Sequence, residues 1–310
     1  MKKWLGIIML FLTAFIWGTA FVAQSVGMDY VGPFTFNFAR YIIGSLVLIP
    51  FVIAGITGKK KQIEKENKDD KEKKKEFASY LKFTVLGGIG CGILLCVASS
   101  LQQFGILYSK AVGKAGFLTA LYIIMVPVIG LFFGKKTKIL IWICVGLATI
   151  GLYLLCVKEG LRFEIGDIFL ILCALVFSFH IIFVDYVSPK GNGVTISCIQ
   201  FAVSGILCLI AALFTEKIVI TDILRGYFPI LYAGVMSCGV AYTFQILGQK
   251  YVEPTKASLI LCLECVFATL GGWVILDQVL TAKETVGCIV VFIAIILAQF
   301  VQKPSEEKVK

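Results

Sequence analysis

Charged residues are scarce in this sequence. Asp, Glu, Lys and Arg make up 15% of the 310 residues, whereas 59% are hydrophobic, and the mean hydropathy is +0.93. A chain of this composition has too few polar side chains to cover a water-soluble globule. The composition therefore excludes an ordinary soluble protein and indicates one that uses the bilayer as its solvent.

Residues that enzymes and metal sites commonly need are also sparse. The chain has a single histidine, His180, no G-x-S-x-G motif, and eleven cysteines that fall almost entirely in apolar segments. Cys262 and Cys265 form a C-x-x-C without a second ligand pair, so we interpret the cysteines as small packing residues. No hydrophilic segment is long enough to fold as a signalling domain. We therefore expect no enzyme activity, no metal and no cofactor.

Long apolar segments fill most of the chain. A helix that crosses a hydrocarbon core about 30 Å thick needs roughly 20 apolar residues. Ten segments meet this length, at about 4–26, 34–57, 80–104, 115–134, 139–157, 165–187, 193–214, 227–249, 255–276 and 284–302. The first follows Lys2 and Lys3 as a signal peptide would, but it is long for one and nine more segments follow. We expect an uncleaved first helix and an all-α integral membrane protein with ten transmembrane helices.

The net charge of +10 does not indicate a nucleic-acid partner, because most of it lies in short connections between apolar segments. If the N-terminus is cytoplasmic, 21 Lys and Arg residues fall on the inner side and 7 on the outer side. The positive-inside rule then places both termini in the cytoplasm. We expect a multi-pass protein of the cytoplasmic (inner) membrane, with the lipid bilayer as a partner.

The connection between the second and third segments carries the densest charge. Residues 59–76 hold nine Lys and six acidic residues. We interpret residues 58–79 as a solvated cytoplasmic loop. Attraction to anionic lipid headgroups is the weaker alternative, because the acidic residues offset much of the positive field.

An internal repeat is visible at an offset of 142 residues, where the KAGFL at 114–118 is laid over the KASLI at 256–260. In this register Tyr122 meets Glu264 and Gln103 meets Gln245. The offset spans five helices, and an odd number makes the second copy run through the membrane upside down. We expect two inverted five-helix repeats, 1–157 and 158–302, and a cytoplasmic tail at 303–310.

Several motifs resemble one transporter family. They are QQFGILY at 102–108, GKAGFLTALY at 113–122, Val126-Pro127, Trp17-Gly18, Arg40, Leu263-Glu264 and Val266-Phe267-Ala268. Over nearly the whole chain the sequence resembles the EamA-type permeases of the drug/metabolite transporter superfamily. It departs from their pattern at Cys265, where Pro is frequent, and at Asp277, where Glu is frequent. The resemblance implies ten helices, a cavity formed by helices 1, 3, 4, 6, 8 and 9, and transport of small metabolites, often amino-acid export.

Polar side chains inside apolar segments are the candidate site residues, because they are costly in hydrocarbon. Glu264 lies about nine residues into its segment, near mid-membrane, and is the candidate for proton binding or recognition of a substrate amine. The alternative is a structural Glu that never titrates. Its repeat counterpart Tyr122 could offer a hydroxyl from the opposite half.

Arg40 and His180 have competing interpretations. Arg40 could counter Glu264, bind a substrate carboxylate, or extend its side chain toward the membrane surface. His180 could relay protons, or be a hydrogen-bonding residue in helix packing.

The remaining candidates are amides and aromatic residues. Gln103 and Gln245 could bind a ligand or an adjacent helix. Trp17 and Tyr242 could line a cavity or belong to packed or lipid-facing surface.

These observations favour a secondary transporter for small polar metabolites, such as amino acids or related compounds. A channel-like or facilitative pore is the main alternative, and an intramembrane enzyme is a weaker one. We expect a small-molecule substrate as partner and protons as the candidate coupling ion. The sequence specifies no oligomeric state.

Overall fold

The structure is a computed structural model that describes residues 2–66, 68–109, 112–135, 137–157, 164–276 and 281–301. The predicted tail at 303–310 and Asp277 lie outside the described residues. Within the described ranges the regular secondary structure consists of helices, without any strand. The all-α prediction is therefore confirmed.

Fourteen α-helices and one π-helix follow each other along the described part of the chain. They are α1 Lys2–Gly27, α2 Pro33–Glu64, α3 Asp70–Ser109, α4 Val112–Ala120, α5 Tyr122–Phe132, α6 Ile139–Cys156, α7 Ile165–Val187, α8 Gly193–Thr215, α9 Ile220–Arg225, α10 Tyr227–Tyr232, the π-helix Ala233–Tyr242, α11 Thr243–Gln249, α12 Pro254–Leu261, α13 Leu263–Leu276 and α14 Ala282–Phe300.

Nine helical segments of the described chain are long and apolar enough to cross a membrane. They are Lys2–Gly27, Pro33–Glu64, Asp70–Tyr108, Ala115–Phe132, Ile139–Cys156, Ile165–Val187, Gly193–Thr215, Tyr227–Gln249 and Ala282–Phe300. Each overlaps one predicted segment. The remaining prediction, 255–276, is occupied by α12 and α13, which are separated at Cys262.

The charged connection is largely helical rather than a loop. α2 continues to Glu64 and α3 begins at Asp70, so only a short turn separates them. Lys and Glu are good helix formers, and no Gly or Pro interrupts residues 59–79. At about 1.5 Å per residue, the 32 residues of α2 extend roughly 48 Å, well beyond a hydrocarbon core of about 30 Å. The loop interpretation of 58–79 was wrong for most of the segment, and we call this helical connection the hairpin.

Small residues bring the long helices close together. α2 and α3 both pack on α8, α3 also packs on α7, α6 packs on α14, and α1 packs on α13. A Cβ placed on Gly18 would lie 2.6 Å from the backbone oxygen of Glu264, and one on Gly287 would lie 2.7 Å from that of Gly151. Side chains at these glycines would force the helices apart. Gly18 thus fixes α1 against the helix that carries Glu264.

The π-helix is ten residues long, from Ala233 to Tyr242. Its wider turns accommodate an extra residue, and π-helical segments are frequent at functional sites. The Thr13 hydroxyl of α1 donates a hydrogen bond to the carbonyl oxygen of Ala241 at 2.9 Å. The π-helix is therefore hydrogen-bonded directly to α1.

The first turn of α2 is capped by a residue far along the chain. One carboxylate oxygen of Glu216 accepts from the backbone N–H of Phe34 at 2.8 Å, and the other accepts from that of Thr35 at 2.9 Å. The Thr35 hydroxyl donates to the second oxygen at 2.6 Å. A Cβ on Gly32 would collide with the Glu216 carboxylate. Glycine at this position gives the carboxylate access to the helix end.

Candidate functional site

A small polar cavity lies where helices from the first and second halves of the sequence meet. Its lining comes from α1–α5, α7, the π-helix and α11–α13, and comprises Trp17, Phe21, Gln24, Arg40, Gln102, Thr119, Tyr122, Phe177, Ile181, Ser237, Tyr242, Gln245, Leu261 and Glu264. The space open to water has a volume of about 30 Å³, enough for one or two water molecules. The bundle therefore encloses a polar centre in otherwise apolar surroundings.

Two helix breaks position Glu264 and Tyr122. α5 begins at Tyr122, immediately after the break at Leu121, and Glu264 lies in the first turn of α13, after the break at Cys262. The Tyr122 hydroxyl donates a hydrogen bond to Glu264 Oε1 at 3.1 Å. Both side chains are buried, and the amino-terminal end of a helix favours a negative charge such as that of Glu264. The breaks thus bring a buried carboxyl group and its hydroxyl partner to the cavity wall.

Arg40 contributes a buried guanidinium group to the same cavity, with only 1% of its surface exposed. Its Nη1 donates to Gln24 Oε1 at 3.1 Å and its Nη2 to the Tyr41 hydroxyl at 3.2 Å. Its Nε has no hydrogen-bond partner among the described residues. In that part of the chain, no carboxylate lies within 4.0 Å of Arg40 and no basic group lies within 4.0 Å of Glu264. The cavity wall therefore holds one cationic and one acidic side chain that are not paired with each other.

Aromatic and amide groups complete the polar lining. The Trp17 and Tyr242 rings lie with their centroids 4.6 Å apart. Trp17 Nε1 and Gln245 Oε1 are buried and have no hydrogen-bond partner within the described ranges. A buried polar atom without a partner costs about 1–3 kcal/mol. Together with Arg40 Nε, these atoms give the cavity unused capacity to donate to and accept from a polar ligand.

Comparison with known families is decisive for the class of protein. The family model of the EamA-like transporter family matches residues 4–157 and again residues 164–300. The chain belongs to the EamA-like transporter family. It is therefore a multi-pass membrane protein of a transporter family.

Individual relatives match over most of their own lengths. An uncharacterized transporter of Archaeoglobus fulgidus is 29% identical over 92% of this chain and 83% of its own. An uncharacterized transporter of Bacillus subtilis is 25% identical over 96% of this chain and 97% of its own. A protein of known crystal structure superposes with a TM-score of 0.70 over 94% of this chain and 96% of that one, at 15% identity. The last similarity concerns the fold alone.

Six of the eight side chains that the sequence suggested line the cavity of this EamA protein: Trp17, Arg40, Tyr122, Tyr242, Gln245 and Glu264. The cavity includes contributions from every segment that the family resemblance implied. It also includes α2, through Arg40. The structure therefore brings most of the candidates together, and their roles in binding or coupling stay predictions.

His180 and Gln103 lie outside this lining. His180 Nε2 is 3.2 Å from Gln200 Oε1, and its ring packs edge-on against Tyr242 with centroids 6.4 Å apart. Gln103 is completely buried, and its Nε2 lies 3.5 Å from the sulfur atom of Met28. The two side chains are thus placed in the packing around the cavity rather than in its wall.

Several lining residues of the EamA cavity were not among those predicted from the sequence. Gln24, Gln102, Thr119 and Ser237 are polar residues within apolar segments, and that contrast was a usable signal. Gln102 stands directly beside the chosen Gln103. The apolar lining residues, such as Phe177 and Leu261, carry no signal that distinguishes them from ordinary core.

Proposed function

We propose that this protein is a secondary transporter that exports small zwitterionic metabolites, amino acids or related compounds, across the cytoplasmic membrane by alternating access. The observation that carries the proposal is the pair of buried, mutually unpaired charges, Arg40 and Glu264, in the wall of one cavity. Charged side chains within membrane-spanning helices commonly mark substrate or ion pathways.

The lining matches the chemistry of an amino acid. The substrate carboxylate would bind Arg40, whose Nε is free to donate, and the substrate ammonium would bind Glu264 beside Tyr122. Trp17 Nε1 and Gln245 Oε1 would supply one further donor and one acceptor. A ligand with both charges would compensate both buried groups at once, whereas a ligand with one charge would leave the other uncompensated.

Contacts of equivalent glycines support the proposed inverted repeat. A Cβ added to Gly92 would lie 2.8 Å from the backbone oxygen of Gln200, and one added to Gly234 would lie 3.0 Å from that of Arg40. The two glycines are 142 residues apart, and Arg40 and Gln200 are 160 apart. The packing of α3 on α8 therefore has a counterpart in the packing of the π-helix on α2. The double match of the family model, over 4–157 and 164–300, agrees with this division.

An extra residue in the π-helix would change the register of the proposed repeat by one residue. A Cβ on Gly105 would lie 3.3 Å from the oxygen of Gly166, and one on Gly248 would lie 3.0 Å from that of Gly6. These equivalent contacts occur at an offset of 143, one more than before the π-helix. The extra residue is therefore accommodated within residues 233–242.

A shift of one residue would pair a different amide with Gln245 from the one that the simple offset suggested. At an offset of 143, the counterpart of Gln245 is Gln102 rather than Gln103. Gln102 and Gln245 both line the cavity. We propose that these two amides, one from each half, bind the substrate.

The small size of the cavity supports a mechanism with moving halves. Ligand sites in proteins commonly have volumes of about 300–1,000 Å³, whereas the space open here is about 30 Å³. A metabolite can enter only if the surrounding helices move apart. We propose that the two five-helix halves rock about the site and expose it to each side in turn.

The basic connections support the proposed orientation. The backbone N–H of Asn192, between α7 and α8, lies 3.4 Å from the Thr84 hydroxyl near the base of the hairpin, and the Lys190 ammonium lies 5.7 Å from the Phe83 ring centroid. The hairpin and the α7–α8 connection therefore occupy the same end of the bundle. We propose that this end and both termini are cytoplasmic.

The test is counterflow of labelled amino acids and other small metabolites in proteoliposomes, with and without a pH gradient. We expect saturable exchange of at least one zwitterionic substrate. It should fall at least tenfold in Glu264→Gln and Arg40→Gln, because each removes one charge that the substrate pairs with. A dependence on the pH gradient that is lost in Glu264→Gln would identify protons as the coupling ion.

Asp222→Asn is the matched control, because Asp222 is a solvent-accessible acidic residue in α9 that pairs with Arg225 and does not line the cavity. It should transport as the wild type does. Arg40→Lys retains the positive charge and should restore part of the activity. Non-saturable flux would indicate a channel, and unimpaired exchange in both cavity variants would contradict the proposed site.

A further inference from the structure

A second cavity lies on the lateral surface of the helix bundle, away from the central site. Its floor is a row of large side chains on α7, Phe179, Ile182, Phe183 and Tyr186, spaced so that they share one face of the helix. The volume of this groove is about 640 Å³, within the range of small-molecule sites. Phe179 and Tyr186 are 40% and 55% exposed. The groove is thus an open, aromatic surface rather than a packing defect.

The groove is open to lipid. Its position on the surface of a bundle of membrane-spanning helices makes hydrocarbon its surrounding solvent. From Phe179 to Val187, where α7 ends, it follows eight residues, which corresponds to about 12 Å along the helix. Together with the turn that carries Lys190, this is about the depth of one leaflet of a hydrocarbon core of roughly 30 Å. The groove therefore extends from the bundle end with the basic connections to mid-membrane, which is the depth of one leaflet and one acyl chain.

One end of the groove is basic. The Lys135 ammonium lies 2.5 Å from an Asp185 oxygen, so the aspartate offsets one of the lysines. The Lys190 ammonium lies 3.8 Å from the Tyr186 ring centroid, and no carboxylate lies within 4.0 Å of it among the described residues. Lys138 is exposed on the same connection as Lys135. The groove entrance thus carries a net positive charge that its own aspartate does not neutralise.

We propose that this groove binds one anionic phospholipid, with the headgroup phosphate between Lys135 and Lys190 and an acyl chain along the α7 row. Basic pockets between transmembrane helices are suited to anionic headgroups. An apolar channel one leaflet deep fits the chain of the same molecule. This inference is independent of the proposed substrate and mechanism.

The test is native mass spectrometry of the purified full-length protein with phosphatidylglycerol or phosphatidylcholine in mixed micelles. The wild type should retain one tightly bound phosphatidylglycerol and show a preference for it over phosphatidylcholine. Lys190→Gln should lower the affinity for phosphatidylglycerol roughly fivefold, the effect of one basic residue near an anionic headgroup. Affinity for phosphatidylcholine should not change.

Lys250→Gln is the matched control, since Lys250 is an exposed lysine of the α11–α12 connection, outside the groove. It should bind phosphatidylglycerol as the wild type does. Ile182→Trp fills the groove and should remove the tightly bound lipid even though every lysine remains. Equal affinity in Lys190→Gln and Lys250→Gln, or full lipid retention in Ile182→Trp, would overturn the proposal.

Discussion

Arg40 and Glu264 are held in the cavity wall by different neutral partners. Arg40 donates to Gln24 and Tyr41, whereas Glu264 accepts from Tyr122. Hydrogen bonds to neutral groups compensate only part of the free energy lost when a charge leaves water. The binding of an oppositely charged ligand group to each side chain would supply the remaining compensation. This separation of the two charges is what gives the proposed site its selectivity for zwitterions.

Glu216 provides a test of stability at a single residue. Replacing it by alanine removes the carboxylate that accepts three hydrogen bonds at the start of α2. Loss of a helix cap costs about 0.5–2 kcal/mol. We expect Glu216→Ala to lower the midpoint of thermal unfolding by several degrees, measured on the purified protein in detergent.

Asp222→Ala removes an acidic residue from the same region, where it forms an exposed ion pair with Arg225 at 3.4 Å. Such pairs contribute about 0–1 kcal/mol, so this control should unfold close to the wild-type temperature. If both variants unfold alike, the cap does not stabilise α2.

At the scale of elements, both helix breaks lie inside segments that hydropathy predicts as single helices. α4 and α5 together, and α12 and α13 together, each correspond to one predicted segment that is interrupted within its first half. Hydropathy predicts the length of such a segment but not where its helix is interrupted. The residues at the breaks, Leu121 and Cys262, are as apolar as their neighbours. The sequence therefore located Glu264 and Tyr122 but not the backbone feature that brings them together.

Deleting one residue tests whether the π-helix contains an extra one. We expect deletion of Met236, which is 36% exposed, to convert the segment to an α-helix and to keep the packing of Gly234 on α2 and of Gly248 on α1. The protein should remain folded, with a modest decrease in unfolding temperature. Size-exclusion chromatography and thermal unfolding in detergent measure this outcome.

The control is deletion of Ile206, which is 54% exposed in the regular helix α8. An α-helix rotates by about 100° per residue, so this deletion turns buried residues such as Cys208 and Ala212 away from the core. It should abolish folding. Equal damage from the two deletions would contradict a removable residue in the π-helix.

At the scale of the whole molecule, limited proteolysis tests the orientation. Trypsin added to sealed inverted membrane vesicles should cut at the lysines of the hairpin turn, near Lys65 and Lys68, which are exposed. In right-side-out vesicles these sites should be protected. Lys217 and Arg225, in the connection after α8, should show the opposite pattern and serve as the internal control. Cleavage of the hairpin from the outside would reverse the predicted topology.

The overall plan could be predicted because the bilayer imposes a length and a composition on each spanning segment. The hairpin was missed because a charge-rich sequence was equated with a loop, although Lys and Glu readily continue a helix. In the proposed inverted repeat the offset is 160 for the contacts of α2 and α8 and 142 directly after the hairpin, and the difference equals the 18 residues of 59–76. On this proposal the length difference between the halves lies in the hairpin and is visible in the numbering alone. The cavity lining, by contrast, depended on contacts that no single segment specifies.

The cap on α2 also has a consequence for biosynthesis. Phe34 and Thr35 are made early, whereas the carboxylate that binds their N–H groups belongs to residue 216. A nascent chain can insert α2 into the membrane, but that end of the helix must leave its first donors to water until α8 has followed. The first turn of α2 can therefore be capped only after more than two thirds of the chain has been translated. In a ribosome-stalled fragment that stops before Glu216, we expect this turn to be frayed.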